Sequence, residues 1–268
     1  MANKFLLIAL LSLFFLTNST LYAEKYQVIT THEPPLNFSL GNISSAHDDQ
    51  ITGFTTDIIR EIMKRTNNST VIELLPWARA YQMVQKKKNV FLFSMSRTEK
   101  RENMFNWVGP IAIKKILFFA KKGSGIVIDS LEDAKKVERI GTLREDSKEQ
   151  YLKRNGFTNT YSNNSWHSAL KMLMKERVSL LTQTDLDIAP VAKEVGVDLE
   201  KIEAVYTIKT STLYIGVSKT SSNKVVKQWQ SVLDDIKKDG TFEHLIRKWA
   251  KYYNAPNWQF KDGTLQIE

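Results

Sequence analysis

The stretch that decides the fold is VFLFSMSRTEKRENMFNWVGP, residues 90–110. It opens on four apolar residues, Val90, Phe91, Leu92 and Phe93, a run with the length and composition of a buried strand. The run ends in two small hydroxyl residues, Ser94 and Ser96, and Thr98-Glu99-Lys100-Arg101 then reads as a charged turn into a helix. Strand, hydroxyls, helix start and arginine together describe a socket for a carboxylate. Free N–H groups at a helix start attract anions, and arginine offers a planar fork that holds a carboxylate by two bonds. In open α/β sheets ligands sit beyond the carboxyl ends of the strands, where this turn falls.

On the N-terminal side, residues 26–30 read as a strand entering a Pro34-Pro35 loop. Gly53 leads into a helix with Ile58, Ile59, Ile62 and Met63 on one face, residues 71–75 form a second strand, and Pro76-Trp77 opens a second helix. On the C-terminal side, residues 113–120, 139–142, 178–181 and 208–217 have strand character. Helices are expected from Ser147, after a Ser165 cap, over residues 224–238 with Gly240 as terminator, and over residues 242–252. This alternation predicts an α/β fold built on a mainly parallel sheet. The segment from Pro256 is expected to lie on the surface or to fray.

Residues 1–23 have the layout of a cleaved secretory signal peptide. Lys4 supplies the positive start, residues 5–16 the apolar core, and Leu21-Tyr22-Ala23 the cleavage site. The chain has no Cys, which excludes a lipoprotein anchor, disulfides and thiolate metal sites. The formal charge is +9, leaving +8 without Lys4, but the basic residues are scattered. The one dense run, Lys86-Lys87-Lys88, suits a helix C-terminus better than a nucleic-acid patch. The sequence contains no Gly-x-Ser-x-Gly elbow, phosphate loop, dinucleotide glycine set or His-Glu-x-x-His, and the four His show no metal-ligand spacing. No cofactor, metal or catalytic residue is expected.

Two further stretches bear on chemistry. Ser147 with Gln150 fits a capping box, and the same helix start offers N–H groups and a hydroxyl to an anion. Residues 177–185, RVSLLTQTD, end in Thr184 and Asp185; an acid there is placed to meet an ammonium group, or else the next helix is capped through Asp185 or Asp187.

Taken in order, the Pro-Pro loop, Gly53-Phe54-Thr55-Thr56-Asp57-Ile58, the run from Ser94 to Arg101, Ile140-Gly141-Thr142 and the closing Lys237-Lys238-Asp239-Gly240-Thr241-Phe242 resemble the family-3 extracytoplasmic solute-binding proteins, the periplasmic amino-acid receptors of ABC importers. The resemblance implies the two-lobed periplasmic-binding-protein fold (type II) with two crossovers, near residues 111–113 and 210–212. Lobe 1 would comprise residues 24–113 plus 211–256, lobe 2 residues 114–210, and residues 257–268 a tail. It implies a monomer that captures a small carboxylate, an amino acid or relative, and docks on an inner-membrane permease. Arg101 would grip the carboxylate, with Ser94, Ser96 and Ser147 beside it. The ammonium-binding aspartate of the family falls at Thr184, with Asp185 one step away. Trp77, Phe38 and Glu33 would line lobe 1, with Arg79 and Arg144 as weaker candidates. Two other readings stay open on the same fold: a periplasmic enzyme of the cyclohexadienyl-dehydratase kind, using Glu33, Glu145 or Asp185 as acid or base, and a partner of a sensor.

Overall fold

The computed structural model describes residues 26–40, 45–144 and 146–267, without the Ser147 side chain. The signal-peptide expectation and Glu145 lie outside the described residues. In chain order the elements are β1 (Gln27–Thr30), β2 (Phe38–Ser39), β3 (Ile51–Thr52), α1 (Phe54–Arg65), β4 (Ile72–Leu74), α2 (Trp77–Lys86), β5 (Val90–Ser96), α3 (Glu99–Glu102) and β6 (Phe105–Lys121). Then come α4 (Leu131–Ala134), β7 (Ile140–Leu143), α5 (Ser147–Arg154), β8 (Thr160–Asn163), α6 (Trp166–Met174), β9 (Leu180–Thr184), α7 (Asp185–Val195) and β10 (Ile202–Ser218). Helices α8 (Asn223–Lys238) and α9 (Thr241–Tyr253) and strands β11 (Trp258–Lys261) and β12 (Thr264–Ile267) complete the fold.

One sheet runs through the molecule in the order β4-β1-β5-β10-β6-β9-β7-β8. Its spine is the antiparallel pair β6 and β10, matched from Phe105↔Ser218 to Lys121↔Ile202. Seventeen residues each, at roughly 3.3 Å per residue, make these strands about 55 Å long. One end carries the parallel trio β4, β1 and β5, the other the parallel trio β9, β7 and β8. Parallel strands need cover on both faces, so each trio is flanked by helices.

The apolar residues divide the same way. Phe54, Ile58, Phe91, Trp229, Phe242 and Leu265 belong to a core around the first trio. Leu117, Leu170 and Leu181 on one face, and Phe118, Ile140 and Leu180 on the other, pack around the second. The molecule is therefore a two-lobed mixed α/β protein whose lobes share the two spine strands, as expected. Leu186 of α7 is fully buried in the first core, so α7 reaches across the divide.

Helix α1 buries Ile58, Ile59, Ile62 and Met63, the predicted stripe. Ser165 caps α6, accepting from the Ser168 N–H, and Gly240, at φ +84°, follows α8. Three expectations need correction, and one strand, β8, was not foreseen. Strand β5 does not stop at Phe93 but includes Ser94 and Ser96. Residues 105–112 are strand: β10 pairs with 105–108 and with Ala112, and Gly109-Pro110 lie in the register break between. Strand β8 is present, and its polar TYSN pattern suits an edge that pairs only with β7. The segment after Pro256 neither frays nor lies loose: β11 and β12 form a hairpin that buries Trp258, Leu265 and Ile267, with Leu265 in register with Ala112 of β6. Asp262 and Gly263, both at positive φ, make its turn, the chemistry a two-residue hairpin requires.

Candidate functional site

The carboxylate socket predicted around Arg101 has the following geometry. Strand β5 opposes Met95 to Tyr214 and Leu92 to Gly216, so Phe93 and Ser94 together face Ile215 alone. This is a bulge, and Ser94 holds it with φ +60°, a left-handed conformation that costs a serine on the order of 1 kcal/mol. The Ser94 side chain is buried and its hydroxyl has no partner among the described residues. Beyond the bulge, the Ser96 hydroxyl accepts a hydrogen bond from Ser211 of β10 at 2.9 Å. The Ser96 carbonyl accepts from the Arg101 guanidinium at 3.2 Å.

Arg101 sits in α3, a single turn rather than a true helix start. Its guanidinium lies 5.1 Å from the Trp77 ring and 5.0 Å from Tyr81. These rings stack on each other at 5.3 Å, one helical turn apart on α2. The aromatic faces hold the arginine by cation–π attraction, and no acid among the described residues pairs with it. Trp77 is 42% exposed, so it is a shelf and not a core residue. Sequence reasoning placed Trp77 here but missed Tyr81.

The lobe-2 residues are arranged differently from expectation. The N-cap of α5 is Asp146, not Ser147: its carboxylate accepts from the Lys148 N–H at 2.7 Å. Ser147 is the first helical residue. Thr184 caps α7, its hydroxyl accepting from the Asp187 N–H at 3.1 Å. Asp185 turns toward the spine, where one carboxylate oxygen accepts from the N–H groups of Lys115 and Leu186, both at 2.9 Å. Burial pushes its pKa up to about 6 against the pull of those two bonds.

Asp187, named from the sequence only as a possible helix cap, leaves that role to Thr184 and lies near Glu33, Lys114 and Lys148. One of its oxygens is buried without a partner among the described residues. Burial first, then the charge of Glu33, pushes its pKa up to about 6, against the opposing pull of Lys114 and Lys148. A two-residue step along a helix start changes which way an acid points, and no local pattern distinguishes Asp185 from Asp187.

Glu33, in the loop after β1, forms an ion pair with Lys114 of β6. Both side chains are largely covered, at 21% and 14% exposed. Burial works against the Lys114 charge, but Glu33, Asp187 and Asp146 outweigh it and its pKa is raised. Lys114 lies opposite Ser211 in the β6–β10 register. A contiguous path therefore runs from Arg101 through Ser96 and Ser211 to Lys114, Glu33 and Asp187. The remaining predicted residues lie off it. Phe38 packs edge-to-face on Trp249 at 6.0 Å, against the first core. Arg79 is exposed, and Arg144 donates to Asn164 at 3.2 Å. Two concavities of about 390 and 410 Å³ open elsewhere, lined respectively by residues such as Asp48 and Arg60 and by Ser165 and Lys171. Among the described residues no group of three or more His, Asp or Glu is placed to hold a metal, and no helix is long and apolar enough to cross a membrane.

A comparison with curated proteins gives no match. Solved structures share the fold over most of their length. The P235GK mutant of ArgBP from T. maritima is 17% identical, with TM-score 0.67, covering 84% of this chain and 95% of that one. A histidine kinase sensor domain with similarity to periplasmic binding proteins is 18% identical, with TM-score 0.69, covering 84% and 96%. The GluR0 ligand-binding core from Nostoc punctiforme, in complex with (L)-glutamate, is 19% identical, with TM-score 0.67, covering 84% and 99%. The model of one family matches residues 28–252, nearly all of the described chain. The chain belongs to the bacterial extracellular solute-binding proteins, family 3.

Proposed function

We propose that the divide between the lobes takes a small polar carboxylate, an amino acid or a relative of one, and that the protein delivers it to an ABC importer after export to the periplasm. The observation that carries this reading is Arg101: a guanidinium fixed over the Trp77–Tyr81 shelf and on the Ser96 carbonyl, yet paired with no acid among the described residues. A fixed arginine with donors to spare is a receptor for a carboxylate. The unpartnered hydroxyl of Ser94, on the bulge two residues before Ser96, adds a donor in the same strand. Solved structures of the same fold hold arginine and histidine, by their descriptions. Two lobes on a shared pair of strands suit hinge closure, in which a ligand favours the state that contacts it from both sides.

A thermal-shift screen across amino acids and small acids tests this. A ligand at 100 times its dissociation constant stabilises the folded state by about 2.7 kcal/mol. If no carboxylate raises the melting temperature, the reading falls. The protein is read as a monomeric binder without chemistry of its own. Turnover of a cyclohexadienyl acid would favour an enzyme instead, and copurification with a histidine kinase rather than a permease would favour sensing.

A further inference from the structure

We infer that the C-terminal hairpin is a hinge brace: with the end of α9 it holds α7 at a set angle to lobe 1, and so fixes how far apart the lobes stand before any ligand arrives. The inference goes beyond the carboxylate reading and does not depend on it. The family match ends at residue 252, so β11 and β12 lie outside it. In the sheet, β10 covers one edge of β6. The other edge carries two strands end to end: β12, which packs Leu265 and Ile267 into the first core, at Ala112, and β9 from Ile116 to Phe119. Only Ile113, Lys114 and Lys115 stand between them, where the crossover falls. Bending of the spine there changes the gap between a lobe-1 strand and a lobe-2 strand.

Two ties span that gap. Lys115 donates from its N–H to the Asp185 carboxylate at the start of α7, at 2.9 Å, and from its ammonium to the Ile267 carbonyl at the end of β12, at 3.0 Å. At the far end of α7, Lys193 donates to the Tyr252 carbonyl, in the last turn of α9, at 2.9 Å and lies 4.2 Å from the Tyr252 ring. The cation there also answers the negative end of that helix. Tyr253 in turn lies 6.0 Å from Trp258, where the hairpin begins, so α9 and the hairpin form one unit. Ile188 and Ala192 fix α7 to the second core, while Leu186 and the two lysine ties fix it to lobe 1. A change of angle between the lobes therefore makes α7 slide on this unit and pulls on Lys115–Ile267, Lys193–Tyr252 or both.

The test reads that angle in the ligand-free full chain. The sequence has no Cys, so Gln82→Cys on α2 and Lys171→Cys on α6, both exposed, put one spin label on each lobe. Pulsed electron paramagnetic resonance should give one narrow distance in this labelled parent. Lys115→Met and Lys193→Met should each bring in a second distance, the balance between the two moving by about tenfold per lost bond, and the double variant should move it further. Lys115→Arg, which can still donate to the Ile267 carbonyl, should restore the single distance. Lys193 is exposed, so Lys193→Met keeps the test open if circular dichroism shows Lys115→Met unfolded. A parent already spread over several distances, or folded variants with the parent's distribution, overturns the brace and leaves the carboxylate site untouched.

Discussion

Arg101→Ala separates binding from folding. In the folded protein the side chain makes one rather long bond, 3.2 Å, to the Ser96 carbonyl and lies on two half-exposed rings. The bond is worth roughly 1 kcal/mol, and exposed cation–π contacts about 0.5–1 kcal/mol. Truncation should cost about 1–2 kcal/mol of stability, a few degrees in Tm for a chain of this size. The loss of a charge-assisted pair to a bound carboxylate is larger, about 2–5 kcal/mol. At about 1.4 kcal/mol per decade that weakens binding by roughly 30-fold to a few thousand-fold. Arg101→Lys keeps the charge, loses the fork and should fall between. Titration calorimetry with the strongest ligand from the thermal screen, beside circular dichroism of each variant, gives both numbers. A folded Arg101→Ala protein that binds with unchanged affinity would refute the carboxylate assignment.

Leu265→Ala should destabilise the protein by about 2–5 kcal/mol in denaturant unfolding, because the side chain is fully buried against β6; a cost below about 1 kcal/mol would mean that the hairpin is not part of the core. Gly53→Ala should cost about 2 kcal/mol or more, since φ is +130° and a Cβ would overlap the Leu36 carbonyl; a neutral substitution would refute that backbone geometry. Asp185 and Asp187 make stability depend on pH. Their folded pKa values, about 6, lie above the ordinary 3.8, so the stability they confer is complete below about pH 4 and lost as pH rises through about 6. For Asp185 alone the change is as much as about 3 kcal/mol. Asp185→Asn should flatten the slope of unfolding free energy across that window while keeping the acceptor for Lys115, and equal slopes would count against a desolvated carboxylate.

The fold was legible where burial writes a period into the chain. The α1 stripe, the VFLF run of β5 and the caps at Ser165 and Gly240 all encode their structure locally. The start of the spine was not, because Gly109-Pro110 interrupts the strand pattern, and β10 pairs on both sides of the break they make. The final hairpin was legible and missed: Trp258-Gln259-Phe260-Lys261 and Thr264-Leu265-Gln266-Ile267 alternate around an Asp-Gly pair. Within the candidate site, Arg101, Ser96 and Trp77 were found because an arginine after a strand and an aromatic at a helix start are sequence patterns. Lys114, Tyr81 and Asp187 were not. Their positions follow from the β6–β10 register, from one turn of α2 and from the rotation of α7, none of which a linear reading supplies.

The place of β10 in the sheet orders events during synthesis. Strand β5 is made early, but its second edge stays unpaired until residues 202–218 exist. The helices that cover its face with Trp229, Phe242 and Trp249 come later still. The trio β9, β7 and β8 leaves the ribosome in one piece, beside a β6 already made. The lobe that begins first is therefore the last to close, and its apolar VFLF edge is the surface a chaperone must guard in the meantime.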